Sequence, residues 1–400
     1  MTETPHNHLV LRNARLVLPK RVIAGGTIFI EQGRIASISL DQSREAQSGD
    51  AIDLHDLTVY PGFIDVHIHG AVGVDTMEAS SADLVRVSQF LATQGVTAWL
   101  PTLVPAPNED YVRAIKAIDY GMQAHPGARI LGVHYEGPFV NSAQCGALRA
   151  RFFRTFSTVG DIDDLPVFVY KAAKHMITVA PEIEGGVELV RKLSERGWVV
   201  SIGHTRASFE RLEEAFEAGA RHLTHFMNAM APLHHRAPGP VAWGLSRDNV
   251  TCDMIADGIH LDPRMLRLLV KLKSADRLAL ISDSVAAAGM GDGAYEIWGE
   301  TITVKDRRTS NQRGAIAGSV ITMLDAVRVM QSLGVSEVDL AKMTATNPAR
   351  LLGLDQECGA IEKGKRADLV ALNSVGEVVL TIIGGVIEFD ARKKGKNSDE

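Results

Sequence analysis

A chain of 400 residues, 46% of them hydrophobic and 22% charged, can bury a large core, which excludes a mainly disordered protein. Its 42 Lys and Arg stand against 48 Asp and Glu, a formal net charge of −6, so it lacks the global basic footprint of a nucleic-acid binder. A prior of roughly 150 residues per domain predicts two or three domains, unless strand–helix repeats absorb about 250 residues in one barrel.

The residues before His8 are polar and contain no apolar core of a signal peptide, so no secretory leader is expected. Leu9 to Val17 and Thr27 to Ile38 are rich in β-branched residues, with Gln32-Gly33 where a hairpin turn would fall. From residue 61 to about 345 strand-like and helix-like segments alternate. Gly185 to Arg196 has a helical pattern closed by Gly197, and Trp198 to Ile202 is a short apolar strand. Ser208 is placed to cap the next helix, which ends near Gly219; His222 to Phe226 reads as a strand. Asp262-Pro263 opens a helix that runs to about Lys273, and Leu278 to Ser282 is another buried-type strand. Gln144 to Val169 carries no clear pattern. Apolar strands alternating with helices imply a parallel sheet covered by helices. Eight such units would close a barrel; an open doubly wound sheet is the alternative.

Strand patterns return at Asp368 to Leu372 and at Val378 to Glu388, where Gly384-Gly385 fits a hairpin turn. Neither chain end holds enough strands for a core of its own. Residues 1–60 and 346–400 are therefore expected to form one small β-sandwich beside a barrel of residues 61–345. The basic run Arg392 to Lys396 reads as a solvated end. Cys145, Cys252 and Cys358 are far apart and odd in number, which fits a reducing compartment, and the cytoplasm is expected. No run of 18 apolar residues is present, so no membrane helix is predicted.

Residues able to bind metal recur at predicted strand ends. His67 and His69 follow Gly62 to Val66, and their spacing puts both side chains on one face of a strand. His134 and Glu136 share that spacing. His204, His225, His260 and Asp283 each follow another strand candidate. In a β/α barrel those ends form one face, where the active site is built. A single strand-end histidine is more often a structural hydrogen-bonding residue, but several converging on one face need partners or metal. His222 would face away from His225 and reads as structural. His6, His8 and His175 read as solvated, His55 and His125 sit near turns, and His234-His235 lies in a loop.

Longer motifs carry a resemblance. Pro61 to Gly70 resembles the opening motif of the amidohydrolase superfamily. His134-Tyr-Glu136-Gly-Pro-Phe139, Ser201 to Thr205, Thr224-His225-Phe-Met-Asn228-Ala229-Met230, Ala256 to His260, Ser282-Asp283, Ala317 to Ser319, Ala345 to Arg350 and Gly364 to Val370 follow in order. Together they resemble the N-acetylglucosamine-6-phosphate deacetylase family. The resemblance implies an α/β fold: a metal-dependent (β/α)8 TIM-like barrel with a small β-sandwich made by both ends. It implies Glu136, His204 and His225 as ligands of one divalent metal, with His67 and His69 as ligands of a second position bridged by Glu136. One or two ions per subunit, zinc or iron, are expected. Asp283 matches the general base and acid, while His260, Asn228, Ala229 and Arg236 match residues contacting the sugar or its phosphate. A small-molecule N-acetylated amino-sugar phosphate is the implied substrate, and members are commonly homodimers; no nucleic acid or membrane partner is expected.

The chain departs from the family pattern at Ser282-Asp283-Ser284 and at Phe226-Met227. It also departs at Cys145 to Arg151, where Leu148 stands in place of a substrate-contacting histidine. This last change motivates the alternative, an amidohydrolase of the same chemistry acting on another N-acyl amino sugar or N-acyl amine. A non-catalytic protein on this scaffold would be expected to lose ligands, and here every ligand position and Asp283 is filled.

Overall fold

The computed structural model describes residues 8–40, 51–123 and 126–394; His6, His125 and the end of the basic run lie outside them. The chain begins with β1 (His8–Val17), β2 (Val22–Glu31), β3 (Arg34–Ser39), β4 (Ala51–Asp53) and β5 (Thr58–Pro61). The expected turn joins β2 to β3. Gln32 and Gly33 have φ of 49° and 74°, the doubly left-handed geometry of a two-residue hairpin.

The barrel strands follow: β6 (Phe63–Ile68), then a small hairpin of β7 (Gly70–Ala71) and β8 (Val74–Asp75), and β9 (Val96–Leu103). Next come β10 (Arg129–Ile130), β11 (Gly132–Glu136), β12 (Lys174–Val179), β13 (Val199–Ile202), β14 (His222–Leu223), β15 (Thr251–Ile255) and β16 (Leu278–Ile281). β6, β9 and then β11 to β16 pair in order, each parallel to the next, which selects the barrel over the doubly wound sheet. Helices cover them at Ser81–Thr93, Asn108–Gly121, Gly186–Glu195, Phe209–Glu217, Gly239–Ser246, Pro263–Lys273 and Met323–Ser332. Two predicted helix starts are built as the local chemistry demands. Ser208 accepts from the Arg211 N–H, and Asp262 accepts from the Arg264 N–H with Pro263 behind it.

After the barrel, β17 (Gly293–Ile297), β18 (Glu300–Lys305) and β19 (Arg308–Ser310) make a small antiparallel sheet on the rim. β20 (Leu369–Leu372), β21 (Val378–Ile383) and β22 (Val386–Asp390) complete the chain. The two ends meet where Leu369 to Leu372 pair antiparallel with Pro61 to Thr58. The result is one continuous eight-stranded sheet ordered β22-β21-β20-β5-β1-β2-β3, with β4 beside β1. It curls around its own core, since Ile35 of β3 and Ile382 of β21, from opposite flanks, belong to one buried cluster with Leu9, Leu11 and Leu369. The tips of the hairpins at Gly33 and Gly384 touch; a Cβ on Gly33 would stand 2.6 Å from the Gly384 carbonyl oxygen.

Two local expectations need correction, and one unassigned segment gains structure. The ladder of β14 stops at Leu223, because the chain turns sharply at His225 instead of extending to Phe226. The unpatterned segment holds single turns at Ser142–Gln144 and Ala150–Phe152 and a short helix at Gly160–Asp163. His175 is half-buried: its ring stacks on Trp198 at 4.9 Å and lies tilted 5.1 Å from Phe168, and burial pulls its pKa down to about 4. Among the described residues no helix is long and apolar enough to cross a membrane.

Candidate active site

The barrel strands deliver their chemistry at one mouth. His67 lies on β6 and His69 just beyond it, Glu136 ends β11, and His204, His225 and Asp283 follow β13, β14 and β16 by two residues. The last three share an uncommon backbone, with φ of 47°, 30° and 50°, and Ala229 has φ of 48°. Non-glycine residues held there cost on the order of 1–3 kcal/mol each, and such residues gather at functional sites. The turn at His204 is possible because Gly203 precedes it. A Cβ on Gly203 would stand 2.7 Å from the Thr178 methyl group.

These turns aim six side chains at one point. Glu136 Oε1 lies 3.0 Å from both His204 Nε2 and His225 Nε2, which are 3.1 Å apart. On the other side Glu136 Oε2 lies 3.3 Å from His69 Nε2, and the Nε2 atoms of His67 and His69 are 3.2 Å apart. Two buried three-residue sets result, His67–His69–Glu136 and Glu136–His204–His225, joined by the shared carboxylate. Imidazole ligands about 2.0–2.1 Å from a tetrahedral ion would be roughly 3.3 Å from one another, so both sets fit a divalent cation. The His67 and His69 Nε2 atoms also face Asp283 Oδ1, at 3.4 Å and 3.3 Å.

The cluster has a strong internal field. Burial works to raise the Glu136 carboxyl, but hydrogen bonds from His204, His225 and His69 outweigh it and hold the group well below the usual carboxylate range. Burial also disfavours charge on His69 and His225. Asp283 and Glu136 overcome it at His69, pushing it up to about 10, and Glu136 does so at His225, to about 9. A bound cation would displace protons held in this way.

A second layer aims the first. His204 Nδ1–H donates to the Gln144 carbonyl at 2.7 Å, which leaves Nε2 to face Glu136. Asp253, fully buried, accepts from the His225 N–H and from His222 Nε2, the latter at 3.0 Å, so His222 is structural as expected. Asp65, also fully buried, accepts from the His67 N–H and the Ser282 hydroxyl, and burial pushes its carboxyl up to about 7. Sequence reasoning passed over both aspartates. The available signal was a carboxylate in the middle of an otherwise apolar strand, which burial makes costly without partners. His134 shares a spacing with Glu136 but not its task. Its Nδ1–H donates to the Val66 carbonyl at 3.1 Å, and its Nε2 accepts from the Thr178 hydroxyl at 2.8 Å.

The remaining predicted residues are placed unevenly. Asp257 takes the His260 backbone N–H and Nδ1–H, at 2.8 Å and 2.7 Å, and so fixes that ring in a turn beyond β15. The Asn228 side-chain amide nitrogen is buried without a hydrogen-bond partner among the described residues. Ala229 lies against the segment that covers His204, where a Cβ on Gly146 would stand 3.5 Å from the His204 ring and 3.8 Å from the Ala229 methyl. Leu148 is packed into the barrel core, 3% exposed. Arg236 is exposed, and its guanidinium donates to His235 Nε2 at 2.8 Å; it does not join the ligand cluster. One unforeseen neighbour is Trp298, from the turn between β17 and β18, whose ring stands edge to face with His69 at 5.1 Å.

Residues 58–387 match the amidohydrolase family. The chain is 35% identical to an N-acetylglucosamine-6-phosphate deacetylase of Bacillus subtilis (strain 168), over 96% of this chain and 98% of that one. It is 37% identical to an N-acetylgalactosamine-6-phosphate deacetylase of Escherichia coli O157:H7, over 78% of this chain and 83% of that one. Its fold is similar to the solved structure of a mutant N-acetyl-D-glucosamine-6-phosphate deacetylase from Mycobacterium smegmatis in complex with N-acetyl-D-glucosamine-6-phosphate. That match has a TM-score of 0.87 at 30% identity and covers 96% of this chain and all (100%) of the other.

Proposed function

The chain belongs to the amidohydrolase family, and on that premise we propose that it hydrolyses the acetamide of N-acetyl-D-glucosamine 6-phosphate, giving glucosamine 6-phosphate and acetate. The observation that carries this reading is the Asp283 carboxylate facing a buried, two-set His and Glu cluster at the barrel mouth. Glu136, His204 and His225 would hold one divalent cation, and His67 and His69 with Glu136 a second; the mixed imidazole and carboxylate set suits zinc or ferrous iron. When bound, the ion lowers the pKa of water toward 7 and polarises the acyl oxygen.

The chain's own groups do the rest. Asp283 accepts one proton from the attacking water at its carboxylate. It returns that proton to the amide nitrogen as the carbon–nitrogen bond breaks, so the amine leaves neutral and the acyl carbon keeps the water oxygen. Asp257 holds His260 with Nδ1–H engaged, which leaves Nε2 for the acyl oxygen or a ring hydroxyl. Asn228 has an amide nitrogen to spare for the sugar. Placement in the cytoplasm and assembly as a homodimer complete the proposal.

The same chemistry on the galacto epimer is the second reading, favoured by the 37% identity to the Escherichia coli relative. Acetate release measured side by side on both N-acetylated hexosamine 6-phosphates decides between them; no release from either would overturn the substrate assignment. Arg236 is assigned to the phosphate. A charge-assisted contact of that kind is worth roughly 1.5–3 kcal/mol, so Arg236→Ala should weaken use of a phosphorylated substrate by about 10- to 100-fold. Unphosphorylated N-acetylglucosamine should be almost unaffected. Equal losses on both would make Arg236 structural. A wild type indifferent to phosphate would point to another acylated amine.

A further inference from the structure

The barrel is closed unevenly. Parallel ladders join β6 to β9, β9 to β11, and each strand from β11 to β16 to the next, but among the described residues none joins β16 back to β6. The candidate site straddles this open joint, with His67 and His69 on the β6 side and Asp283 on the β16 side. At the rim, backbone bonds cross it: the Asp283 N–H donates to the His67 carbonyl at 2.9 Å, and the His69 N–H to the Ser284 carbonyl at 2.8 Å. Directly beneath, the carboxylate of Asp65 fills the joint. Its Oδ2 accepts from the Ser282 hydroxyl at 2.6 Å; its Oδ1 accepts from the His67 N–H at 3.2 Å and the Ser282 N–H at 3.4 Å. Both residues are buried, so water does not compete for these bonds.

We propose that Asp65 and Ser282 are positioning residues: their hydrogen-bonded clasp across the open joint sets the distance from Asp283 to the His67–His69 pair. This rests on the reading of Asp283 as the proton carrier. No ladder joins β6 to β16 among the described residues, so this clasp adds to the rim's backbone bonds in holding an Asp283 oxygen 3.3 Å to 3.4 Å from two imidazole nitrogens. Loosening the clasp moves the proton acceptor relative to the histidines and leaves the sugar-binding rim in place.

The informative variant is Ser282→Ala, which deletes the hydroxyl donor and leaves the Asp65 carboxylate and both backbone N–H groups. Steady-state kinetics should show kcat lower by about tenfold with KM changed by less than about twofold, the pattern of a misplaced group and not of lost substrate contacts. Ser282→Thr keeps a hydroxyl and should restore kcat to within about twofold of wild type. Affinity for Zn2+, measured by competition with a chromogenic chelator, should fall about tenfold in Ser282→Ala, as for other groups that orient metal-binding histidines. Asp65→Asn should lose more in both measurements; if it does not fold, the serine pair still decides. Wild-type kcat and Zn2+ affinity in Ser282→Ala would overturn the proposal, as would a loss that threonine does not repair. A wild type with no deacetylase activity would sink the reading of Asp283, while the Zn2+ measurement would still test the clasp.

Discussion

Glu136→Gln is expected to lose its divalent cation. The carboxylate belongs to both three-residue sets, and it is the acidic member of each. It lies 3.0 Å from His204 and His225 and 3.3 Å from His69, so either ion position depends on it. Glutamine keeps the volume but removes the negative charge and turns one acceptor into a donor facing imidazole nitrogens. The His204–His225 side would then face a cation without its carboxylate in a buried site, and Asp283 would be the carboxylate left beside His67 and His69, a loss of charge that costs several kcal/mol. Elemental analysis after dialysis should find metal per chain reduced by at least about tenfold, since removal of a ligand exceeds the roughly 10- to 100-fold effect of outer groups. Occupancy at the wild-type level would refute the assignment. His67→Gln touches only one of the two sets, so partial retention there would show that two positions are filled.

Asp283→Asn should abolish most turnover while the metal stays. The variant preserves shape, and the backbone bonds that hold this residue, from its N–H to the His67 carbonyl and from the Ser319 N–H to its own carbonyl, do not involve the side chain. What it loses is the ability to take a proton from water and return it to the amine. General acid–base catalysis of this kind contributes about 10²- to 10⁴-fold, so kcat should fall by at least about 10²-fold with metal content unchanged. Nearly intact activity would mean that another group carries the proton, and His260 would be the first to examine. Taken together, the two variants separate ion binding from proton transfer, because one should lose both and the other only the second.

Local chemistry made much of this protein legible from residues alone. The turns at Gln32-Gly33 and Gly384-Gly385 follow from backbone angles that glycine tolerates, and φ is positive at all four positions. The caps at Ser208 and Asp262 follow from one side chain meeting one nearby N–H. The alternation of apolar strands with helices indicated a parallel sheet covered by helices, and strand ends placed the histidines and carboxylates on one face; the order of strand pairing then selected the barrel over the doubly wound sheet. Each of these signals spans a few residues, so each survives in a linear reading.

Which of those residues meet was decided by the closed barrel. Glu136 touches His204 across 68 positions and His225 across 89, and Asp65 touches Ser282 across 217. His134 and Glu136 lie two residues apart on β11 and point to the same face, yet Glu136 at the strand end joins the cluster while His134, one step deeper, is held by Val66 and Thr178. Neighbouring strands impose that difference, through partners that periodicity does not encode. For the same reason the partners of the aspartates inside β6 and β15, the rim sheet carrying Trp298 and the early turn at His225 emerged only in three dimensions. A buried polar group is held by whatever the fold brings to it, and the fold brings residues together from opposite sides of a ring.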